Sequence, residues 1–439
     1  MSELWVWMNG ERVGRWTRGR TGHHRFIYEA SWLASPHARP LSLSMPISAN
    51  RIAEGAAVGN FFDNLLPDDE NIRRRLHTRF HTKSTEAFDL LQAIGRDCVG
   101  AVQLLPPGQS PLNYAKLDYD ALAAEDVEHI LQSVTASSGP GAPDNEDDFR
   151  ISIAGAQEKT ALLKIGAQWC RPKGATPTTH ILKLPLGLVG GSRLDLTHSV
   201  ENEWLCARIL GEMGLDVAHT EIAVFGGQRV LSVERFDRRW MADGTWIARL
   251  PQEDFCQATG VHPARKYEAD GGPGIGDCLK VLAGGDNFRA DGATFLCAQL
   301  AFWLLAATDG HAKNFSIFLL PGGCYRMTPL YDVLSAWPVI GKGSKHIPWQ
   351  KAKLAMAVRT KNAHYKISEI HARHWLNLAA KSGVDGVWGD MVGLVDKAEM
   401  ALVAIESDLP QDFPATVADA IFAGVRAQVK AFRAGISTD

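Results

Sequence analysis

The sequence has few cysteines, and they lack the spacings that form metal or disulfide frameworks. Seven cysteines are scattered through 439 residues, and no two of them form a CxxC pair. Their odd number and wide separation predict reduced thiols, as in a cytosolic protein. No histidine belongs to an HExxH motif and no GxSxG motif is present, which argues against a zinc enzyme and a nucleophile-elbow hydrolase.

Long apolar runs and an excess of one charge are also missing. The longest apolar run, 295–307, is shorter than the roughly 20 residues that span a bilayer. The N-terminus has an acid and no basic region before an apolar core, so we expect no signal peptide. The net charge of -3 predicts no bulk attraction to nucleic acid or anionic membranes. We therefore expect a cytoplasmic, globular protein.

The chain is long enough for several domains. At 46% hydrophobic residues it can bury a large core, which is expected to divide because single cores rarely exceed roughly 250–300 residues. Turn formers and acids fill the stretch 136–148, which predicts a boundary. The predicted domains are an N-terminal β-rich module with helices (1–140), a small lobe (149–238) and a larger helical lobe (239–439).

The N-terminal module is predicted to begin with a small β unit. Short runs rich in Trp and Val flank Asn9-Gly10, a pair that favours a tight hairpin turn, and a third strand follows at 25–28. Helical patterns then cover 52–80, interrupted at Pro67. A further helix is predicted from Glu86 to Ile94, ending at Gly95.

The order of elements after residue 149 is that of a kinase small lobe. Two strands (160–165 and 179–184), a Gly-rich loop, a helix (199–210) and a hairpin (221–225 and 229–234) follow one another. Beyond about residue 239 helical patterns dominate. The predicted fold class is α+β, a two-lobed protein-kinase-like fold with a β-rich N-terminal region and an all-helical C-terminal lobe.

The loop after the apolar helix holds candidate catalytic residues. Asp309 and Asn314 stand five residues apart, the spacing of Asp and Asn in a protein-kinase catalytic loop, and Asp332 follows as a second metal ligand. The alternative is a helix-ending turn with solvated side chains, since the spacing alone is common. His311 and Lys313 in this loop can contact phosphate or simply be solvated.

Lys183 is the candidate lysine for the nucleotide phosphates. It lies in a strand whose other residues are apolar, so an inward-facing lysine needs an anionic partner. Glu203 on the next predicted helix can supply one, as in the Lys–Glu pair of kinases, and Glu201 is the neighbouring alternative on another helix face. A water-facing lysine of an edge strand is the competing interpretation.

Two further stretches occupy positions where a kinase contacts ATP. Residues 151–159 precede the first strand of the small lobe, where a phosphate-covering loop is expected, although Gly155 is their only glycine. Glu234 and Phe236 lie where the two lobes join, the position of an adenine-binding hinge. An ordinary turn at 151–159 and a charged strand end at Glu234 would give the same sequence patterns.

Together these stretches resemble the HipA family, the serine/threonine-kinase toxins of bacterial type II toxin–antitoxin modules. The resemblance covers nearly the whole chain and rests on NFFDNLLPD (60–68), IGRDCVG (94–100), SIAGAQEK (152–159), VERFD (233–237), TDGHAKN (308–314) and Tyr331-Asp332.

The resemblance implies ATP and Mg²⁺ as cofactors. It makes Asp309 the catalytic aspartate, with Asn314 and Asp332 as Mg²⁺ ligands. Ser152 matches a serine that such kinases autophosphorylate, which inactivates them because the added charge is repelled by the triphosphate. The implied ATP-binding residues are Ser152, Ile153, Ala154, Gly155, Ala156, Gln157, Lys159, Lys183, Glu234, Phe236, His311, Lys313, Asn314 and Asp332.

The resemblance also implies partners. The expected target is a serine of an aminoacyl-tRNA synthetase, notably the glutamyl enzyme, whose phosphorylation halts translation and promotes growth arrest and persistence. A helix-turn-helix antitoxin is the expected partner, through which the toxin joins a co-repressor complex on operator DNA. Basic stretches at 359–361, 371–374 and 426–433 can contact DNA phosphates or form solvated faces.

Two other functions compete with this one. The first is a non-catalytic co-repressor with a kinase-like fold, and the second is a kinase acting on a lipid or small metabolite. Every catalytic position holds a competent residue, whereas a degenerate kinase often lacks one, and this favours the protein kinase.

Overall fold

The computed structural model describes residues 2–135, 157–191, 193–241 and 244–436. The strands are β1 (Ser2–Met8), β2 (Glu11–Arg18), β3 (His24–Tyr28), β4 (Ile52–Glu54), β5 (Gln103–Leu105), β6 (Tyr119–Ala121), β7 (Lys159–Ile165), β8 (Gln168–Pro172), β9 (His180–Lys183), β10 (Gly187–Val189), β11 (Leu194–Leu196), β12 (Thr220–Phe225), β13 (Gln228–Glu234), β14 (Arg238–Trp240), β15 (Ile247–Arg249), β16 (Gln252–Asp254), β17 (Ser316–Leu319), β18 (Tyr325–Met327), β19 (Lys353–Arg359) and β20 (Ala363–Lys366). The helices are α1 (Ala30–Leu33), α2 (Ala56–Asp63), α3 (Glu70–Arg79), α4 (Ala87–Ile94), α5 (Ala124–Thr135), α6 (Ser199–Glu212), α7 (Phe255–Thr259), α8 (Ile275–Leu282), α9 (Phe288–Leu305), α10 (Ala372–Lys381), α11 (Val387–Glu406) and α12 (Ala415–Ile436).

The chain packs into two compact units, each built from separate stretches. The first unit comprises Met1–Leu184, Ala223–Arg265 and Ser316–Tyr325, and the second comprises Pro185–Ile222, Lys266–Phe315 and Arg326–Asp439. The predicted division into 1–140, 149–238 and 239–439 remains a prediction, since these units follow packing across the chain and not contiguous segments.

An antiparallel sheet forms the N-terminal part of the first unit. Its strands follow the order β4-β3-β2-β1-β5. The predicted turn between β1 and β2 is confirmed, because Asn9 and Gly10 both have positive φ, 44° and 85°. On the inner face of the sheet, Trp16 stacks on Phe62 of α2 with ring centroids 3.9 Å apart, so the helices cover the sheet with aromatic side chains.

The helices of this part are interrupted where the sequence predicts, but the predicted helical start at residue 52 is wrong, because 52–54 form β4 and α2 begins at Ala56. The interruption at Pro67 separates α2 from α3, and the side chain of Asp69 caps α3 by accepting hydrogen bonds from the backbone N–H of residues 71 and 72. Helix α4 ends at Gly95. Asn60 and Asn64 donate from Nδ2 to the carbonyls of residues 260 and 261, at 2.8 and 2.9 Å, which fixes α2 to the segment after α7.

A second sheet carries the strands of the predicted small lobe. Its order is β12-β13-β9-β7-β8-β6, and the contacts from β7 to β13 are antiparallel. Helix α5 covers one face through Val127 and Leu131, which are buried against Leu162 and Leu182 of the central strands. The predicted strands, hairpin and helix of this region are therefore confirmed, with ends shifted by one or two residues.

The second unit is built around α9, which is buried on nearly every face. From Phe295 to Leu305 all of its side chains are buried, and α6, α11 and α12 pack against α9 or against one another. The prediction of an all-helical lobe at 239–439 is wrong, because this range also contains strands. Strands β16, β17 and β18 form one sheet, β15 pairs with β14, and β19 pairs with β20 in the second unit. Among the described residues, none of the helices combines the length and apolarity needed for a membrane span.

Candidate active site

The loop after α9 brings three of the predicted site residues together. Helix α9 ends at Ala306, whose φ of 49° is left-handed and reverses the chain. The Nδ2 group of Asn314 donates to the backbone carbonyl of Asp309 at 2.9 Å and to that of Asp332 at 3.3 Å. The side-chain amide of Asn314 therefore links the backbones of Asp309 and Asp332.

The segment that carries Asp332 is fixed by hydrogen bonds on both sides. Before it, the backbone N–H of Leu330 donates to the carbonyl of residue 216 at 2.8 Å. After it, Ser335 exchanges two hydrogen bonds with the buried side chain of Asn202 on α6, at 2.8 and 2.9 Å. Asp332 itself has a φ of 60°, a conformation that non-glycine residues adopt rarely and that is concentrated at functional sites.

His311 is held neutral inside the loop. It is 3% exposed, and burial lowers its pKa to about 4, an effect that outweighs the attraction of Asp309. Its Nε2 lies 3.8 Å from Oδ1 of Asp309, and its Nδ1 has no hydrogen-bond partner within the described part of the chain. The neighbouring Lys313 is also buried, and its carbonyl accepts a hydrogen bond from the phenol of Tyr331 at 2.9 Å.

Tyr267, which was not among the predicted site residues, contacts the predicted catalytic aspartate. Its phenol donates a hydrogen bond to Oδ1 of Asp309. Its ring meets His311 edge-on, with centroids 5.0 Å apart and planes at 85°. No local signal marks this residue, because it lies 42 positions before Asp309 in a segment without regular pattern.

The donor set at Asn314 and Asp332 fits Mg²⁺. No cluster of three or more His, Cys, Asp or Glu side chains suited to a metal occurs among the described residues. Mg²⁺ needs no such cluster, since it is commonly held by one or two carboxylates together with substrate phosphates and water. The Nδ2 group of Asn314 is used in its two bonds to backbone carbonyls, so the amide oxygen of Asn314 and the carboxylate of Asp332 are the two hard oxygen ligands that would hold the ion.

In the first unit, two of the predicted phosphate-binding lysines lie on one face of a sheet. Lys159 of β7 is directly opposite Lys183 of β9 in the antiparallel register, so their side chains leave the sheet on the same side. Lys183 is 5% exposed, although its strand neighbours are apolar as predicted.

The predicted phosphate loop lies mostly outside the described residues. This applies to Ser152, Ile153, Ala154, Gly155 and Ala156. Immediately after them, Nε2 of Gln157 donates to the carbonyl of Leu184 at 2.6 Å, and the backbone N–H of Leu184 donates to the carbonyl of Glu158 at 3.1 Å. The end of the loop is thereby fixed beside the strand that carries Lys183.

Successive side chains of the predicted hinge differ in burial. Glu234 is exposed, and Phe236 is half-buried with its ring edge-on to Phe318, 5.9 Å between centroids. Arg235 and Asp237, which alternate with them, are buried. The side chains predicted to contact adenine therefore lie apart from those that anchor the strand.

Arg235 and Asp237 belong to a buried ion network that includes Asp97. Arg235 donates to Asp237 at 2.8 and 3.0 Å, and Asp97 accepts from Arg238 and Arg249, both at 3.0 Å. Burial alone would raise the pKa of Asp97, but the guanidinium groups of Arg238, Arg249 and Arg235 bring it well below its usual value. Burial and the charge of Arg235 lower the pKa of Arg238 to about 10.

The predicted Lys183–Glu203 pair remains a prediction. Glu203 is buried on α6 in the second unit, as is its neighbour Glu201, whereas Lys183 belongs to the first unit. The assignments of Asp309, Asn314, Asp332 and Lys183 to phosphoryl transfer likewise remain predictions, with the geometry above as their support.

The fold places the chain in a known structural class. It superimposes on HipA from Shewanella oneidensis, solved as a toxin–antitoxin complex with HipB and operator DNA, with a TM-score of 0.81 at 23% sequence identity. The likeness covers 99% of this chain and 98% of that one. The chain thus has the predicted α+β, two-lobed kinase-like fold.

Sequence comparison identifies the family. The model of the HipA N-terminal domain matches residues 4–105, and that of the HipA-like C-terminal domain matches residues 151–409. "Putative kinase Y4mE" of Sinorhizobium fredii is 33% identical over 410 residues, covering 92% of this chain and 91% of that protein. "Serine/threonine-protein kinase toxin HipA" of Shewanella oneidensis is 28% identical over 320 residues, 70% of this chain and 69% of that protein. The chain belongs to the HipA family.

Proposed function

We propose that this chain is an ATP-dependent serine/threonine protein kinase that acts as the toxin of a toxin–antitoxin module. The observation that carries the proposal is the bond pattern of Asn314, whose amide joins the backbones of Asp309 and Asp332 in a loop fixed by buried hydrogen bonds. Phosphoryl transfer depends mainly on positioning and electrostatic stabilisation, and this arrangement supplies both.

The roles follow from the chemistry of the groups. The carboxylate of Asp309 orients a serine hydroxyl and accepts its proton as the serine oxygen bonds to the γ-phosphorus and the bond to the ADP oxygen breaks. Asn314 and Asp332 would hold Mg²⁺, which neutralises charge on the phosphates when bound. Because His311 is neutral, it adds no positive charge beside the carboxylate of Asp309.

The first unit would bind the nucleotide. Lys159 and Lys183 project from the same face of the sheet and suit the phosphates of ATP. Phe236 offers an aromatic surface beside the exposed strand end at Glu234, where adenine would bind. Gln157 and the loop before it, from Ser152 to Ala156, would cover the phosphates.

The proposed target is a serine of an aminoacyl-tRNA synthetase, with the glutamyl enzyme as first choice, and the proposed place of action is the cytoplasm. Phosphorylation of Ser152 would switch the kinase off through repulsion between the new phosphate and ATP. We further propose a helix-turn-helix antitoxin as partner, through which the chain joins a repressor complex on operator DNA. The support is the family relationship and the complex in which the Shewanella HipA was solved.

Label transfer from ATP tests the proposal. Purified protein is incubated with γ-labelled ATP, Mg²⁺ and a bacterial lysate, and labelled species are identified by mass spectrometry. We expect label on a synthetase serine, and loss of transfer by about 10²–10⁴-fold in Asp309→Asn, because an isosteric amide cannot accept the proton. Label confined to lipids or metabolites would identify a different kinase, and the absence of any transfer would favour a non-catalytic co-repressor.

Self-labelling tests the regulatory part. Ser152→Ala is expected to abolish label on the chain itself while target labelling continues. Asp309→Asn serves as the control, since it should abolish both signals. Undiminished self-labelling of Ser152→Ala would contradict the assignment of the autophosphorylation site.

A further inference from the structure

Tyr267 is the one described side chain outside the loop 308–314 that donates a hydrogen bond to the carboxylate of Asp309 in this structure. The phenol O–H donates to Oδ1, and the ring packs edge-on against His311, the neutral imidazole of the same loop. A phenol that donates to a carboxylate makes a charge-assisted hydrogen bond, one of the stronger kinds in proteins.

The segment around Tyr267 is held both by β19 and by the loop. The carboxylate of the next residue, Glu268, accepts from the backbone N–H of Ala357 at 2.6 Å and from Nε of Arg359 at 2.8 Å, both on β19. The carbonyl of Lys266 accepts from the backbone N–H of Ala312 in the loop at 3.4 Å. Tyr267 thus reaches Asp309 from a segment that is held by β19 as well as by the loop.

We propose that Tyr267 is a positioning residue for Asp309, and this inference rests on the kinase function proposed above. A carboxylate has two oxygens and about four acceptor directions. The phenol of Tyr267 occupies one direction on Oδ1 and leaves Oδ2 for the hydroxyl of the target serine. Tyr267 therefore fixes the rotation of the carboxyl group, so that the oxygen that receives the proton is presented in one orientation.

Preorganisation of this kind acts on the chemical step. A misplaced reacting group costs rate even when binding is unchanged. A hydrogen bond to a charged group contributes roughly 1.5–3 kcal/mol, which corresponds to a factor of about 10–150 in rate if it is expressed in the transition state. Removing the phenol O–H should accordingly reduce kcat and leave the KM for ATP unchanged.

A double-mutant cycle on the full-length chain tests the inference. Initial rates of label transfer from ATP into a bacterial lysate are measured for the wild type, Tyr267→Phe, Asp309→Ala and the double variant, over a range of ATP concentrations. Tyr119→Phe, at an exposed tyrosine of β6, is the matched control. Thermal unfolding midpoints of all variants separate loss of folding from loss of rate.

The expected result is at least a 10-fold lower kcat for Tyr267→Phe, with an unchanged KM for ATP and a midpoint that stays well above the assay temperature. In the Asp309→Ala background the same substitution should have no further effect, because its partner is gone. A wild-type rate in Tyr267→Phe, or an equal loss in both backgrounds, would overturn the positioning role. An inactive wild type would instead refute the kinase function, and the inference with it.

Discussion

His311 shows how burial sets the charge of a single residue beside Asp309, the proposed catalytic base. Its pKa of about 4 arises chiefly from desolvation, and the nearby Lys266 and Lys313 reinforce the shift. An unfolded histidine titrates near 6.5. Between these two pH values the histidine is protonated in the unfolded chain but not in the folded chain. The stability of the folded state therefore falls as the pH falls from about 6.5 to about 4.

This linkage gives a prediction for His311→Gln, which cannot titrate. On acidification from pH 7 to pH 5 the wild type should lose about 2 kcal/mol more stability than the variant, because only the wild type carries the buried imidazole. Thermal unfolding midpoints of both proteins at several pH values measure the difference. Parallel curves for the two proteins would show that His311 is not held neutral by the fold.

At the scale of elements, the loop 308–314 packs directly against α9, the helix that precedes it. A Cβ placed on Gly310 would lie 2.3 Å from Cδ2 of Phe302, a buried side chain of α9. The helix side chain and the loop backbone are therefore in direct contact, and the loop has no room to accept even a methyl group without moving.

Gly310→Ala should displace the loop and destabilise the chain. Overpacking of a buried site typically costs about 1–3 kcal/mol, and the shift should also lower the transfer rate. Gly276→Ala is the matched control, since a Cβ there meets nothing within 4 Å and alanine favours the helix α8 by roughly 0.5–1 kcal/mol. Midpoints that move in the same direction for both variants would contradict this account of the loop.

The buried ion network joins two other elements of the first unit. Arg235, at the end of β13, binds Asp97 and Asp237, and one of its Nη groups donates to the carbonyl of Cys98 at 2.8 Å. Two of the stretches that resemble the HipA family, at 94–100 and 233–237, thus meet in one structure. Their shared role in the described structure is to fix the N-terminal module to the strand that ends in the hinge.

Arg235→Met is expected to be strongly destabilising. Removing one guanidinium from the buried network leaves Asp97 and Asp237 with less compensation, although Arg238 still contacts both. Breaking a buried pair costs about 3–5 kcal/mol, which lowers the unfolding midpoint by about 6–20 °C in a unit of this size. Arg239→Met, at an exposed arginine of β14, removes the same charge from the surface and should change the midpoint little. Equal shifts for the two variants would exclude the network as a stabilising element.

These elements also show what the sequence can predict. The hairpin at Asn9-Gly10, the break between α2 and α3 at Pro67 and the end of α4 depend on neighbouring residues, and the local pattern was enough to place them. The pair β19–β20 was missed because the continuous apolar run of β19 lacks the alternation typical of a half-buried strand.

At the candidate site, too, contacts between residues close in sequence could be predicted and contacts between distant residues could not. Asp309, Asn314 and Asp332 lie within one short stretch, so spacing alone could bring them together. Asp97 and Tyr267 depend on partners far along the chain: Asp97 binds Arg235 and Arg249 across 138 and 152 residues, and Tyr267 binds Asp309 across 42. From the sequence alone, a charged or phenolic side chain is assumed to be solvated unless its distant partner is known.

For the whole molecule, charge limits what the chain can do alone. Its net charge is -3, and several arginines of the basic stretches predicted to contact DNA are neutralised within the chain. Arg359 pairs with Glu268, Arg426 with Glu399 and Glu406, and Arg433 with Asp396. Non-specific DNA binding is driven by uncompensated positive charge, so the operator affinity of a repressor complex should come from the antitoxin.

The chain alone is therefore expected not to retard duplex DNA of arbitrary sequence at about 1 μM protein and about 150 mM salt. A gel-shift titration measures this, with the double variant Glu399→Gln and Glu406→Gln as a probe of the paired arginine. That variant removes two acids and releases Arg426, so any retardation it gains at low salt should disappear as salt is raised. Retardation by the wild-type chain at about 150 mM salt would instead indicate a DNA-binding surface of its own, and the basic stretches would then be the first positions to substitute.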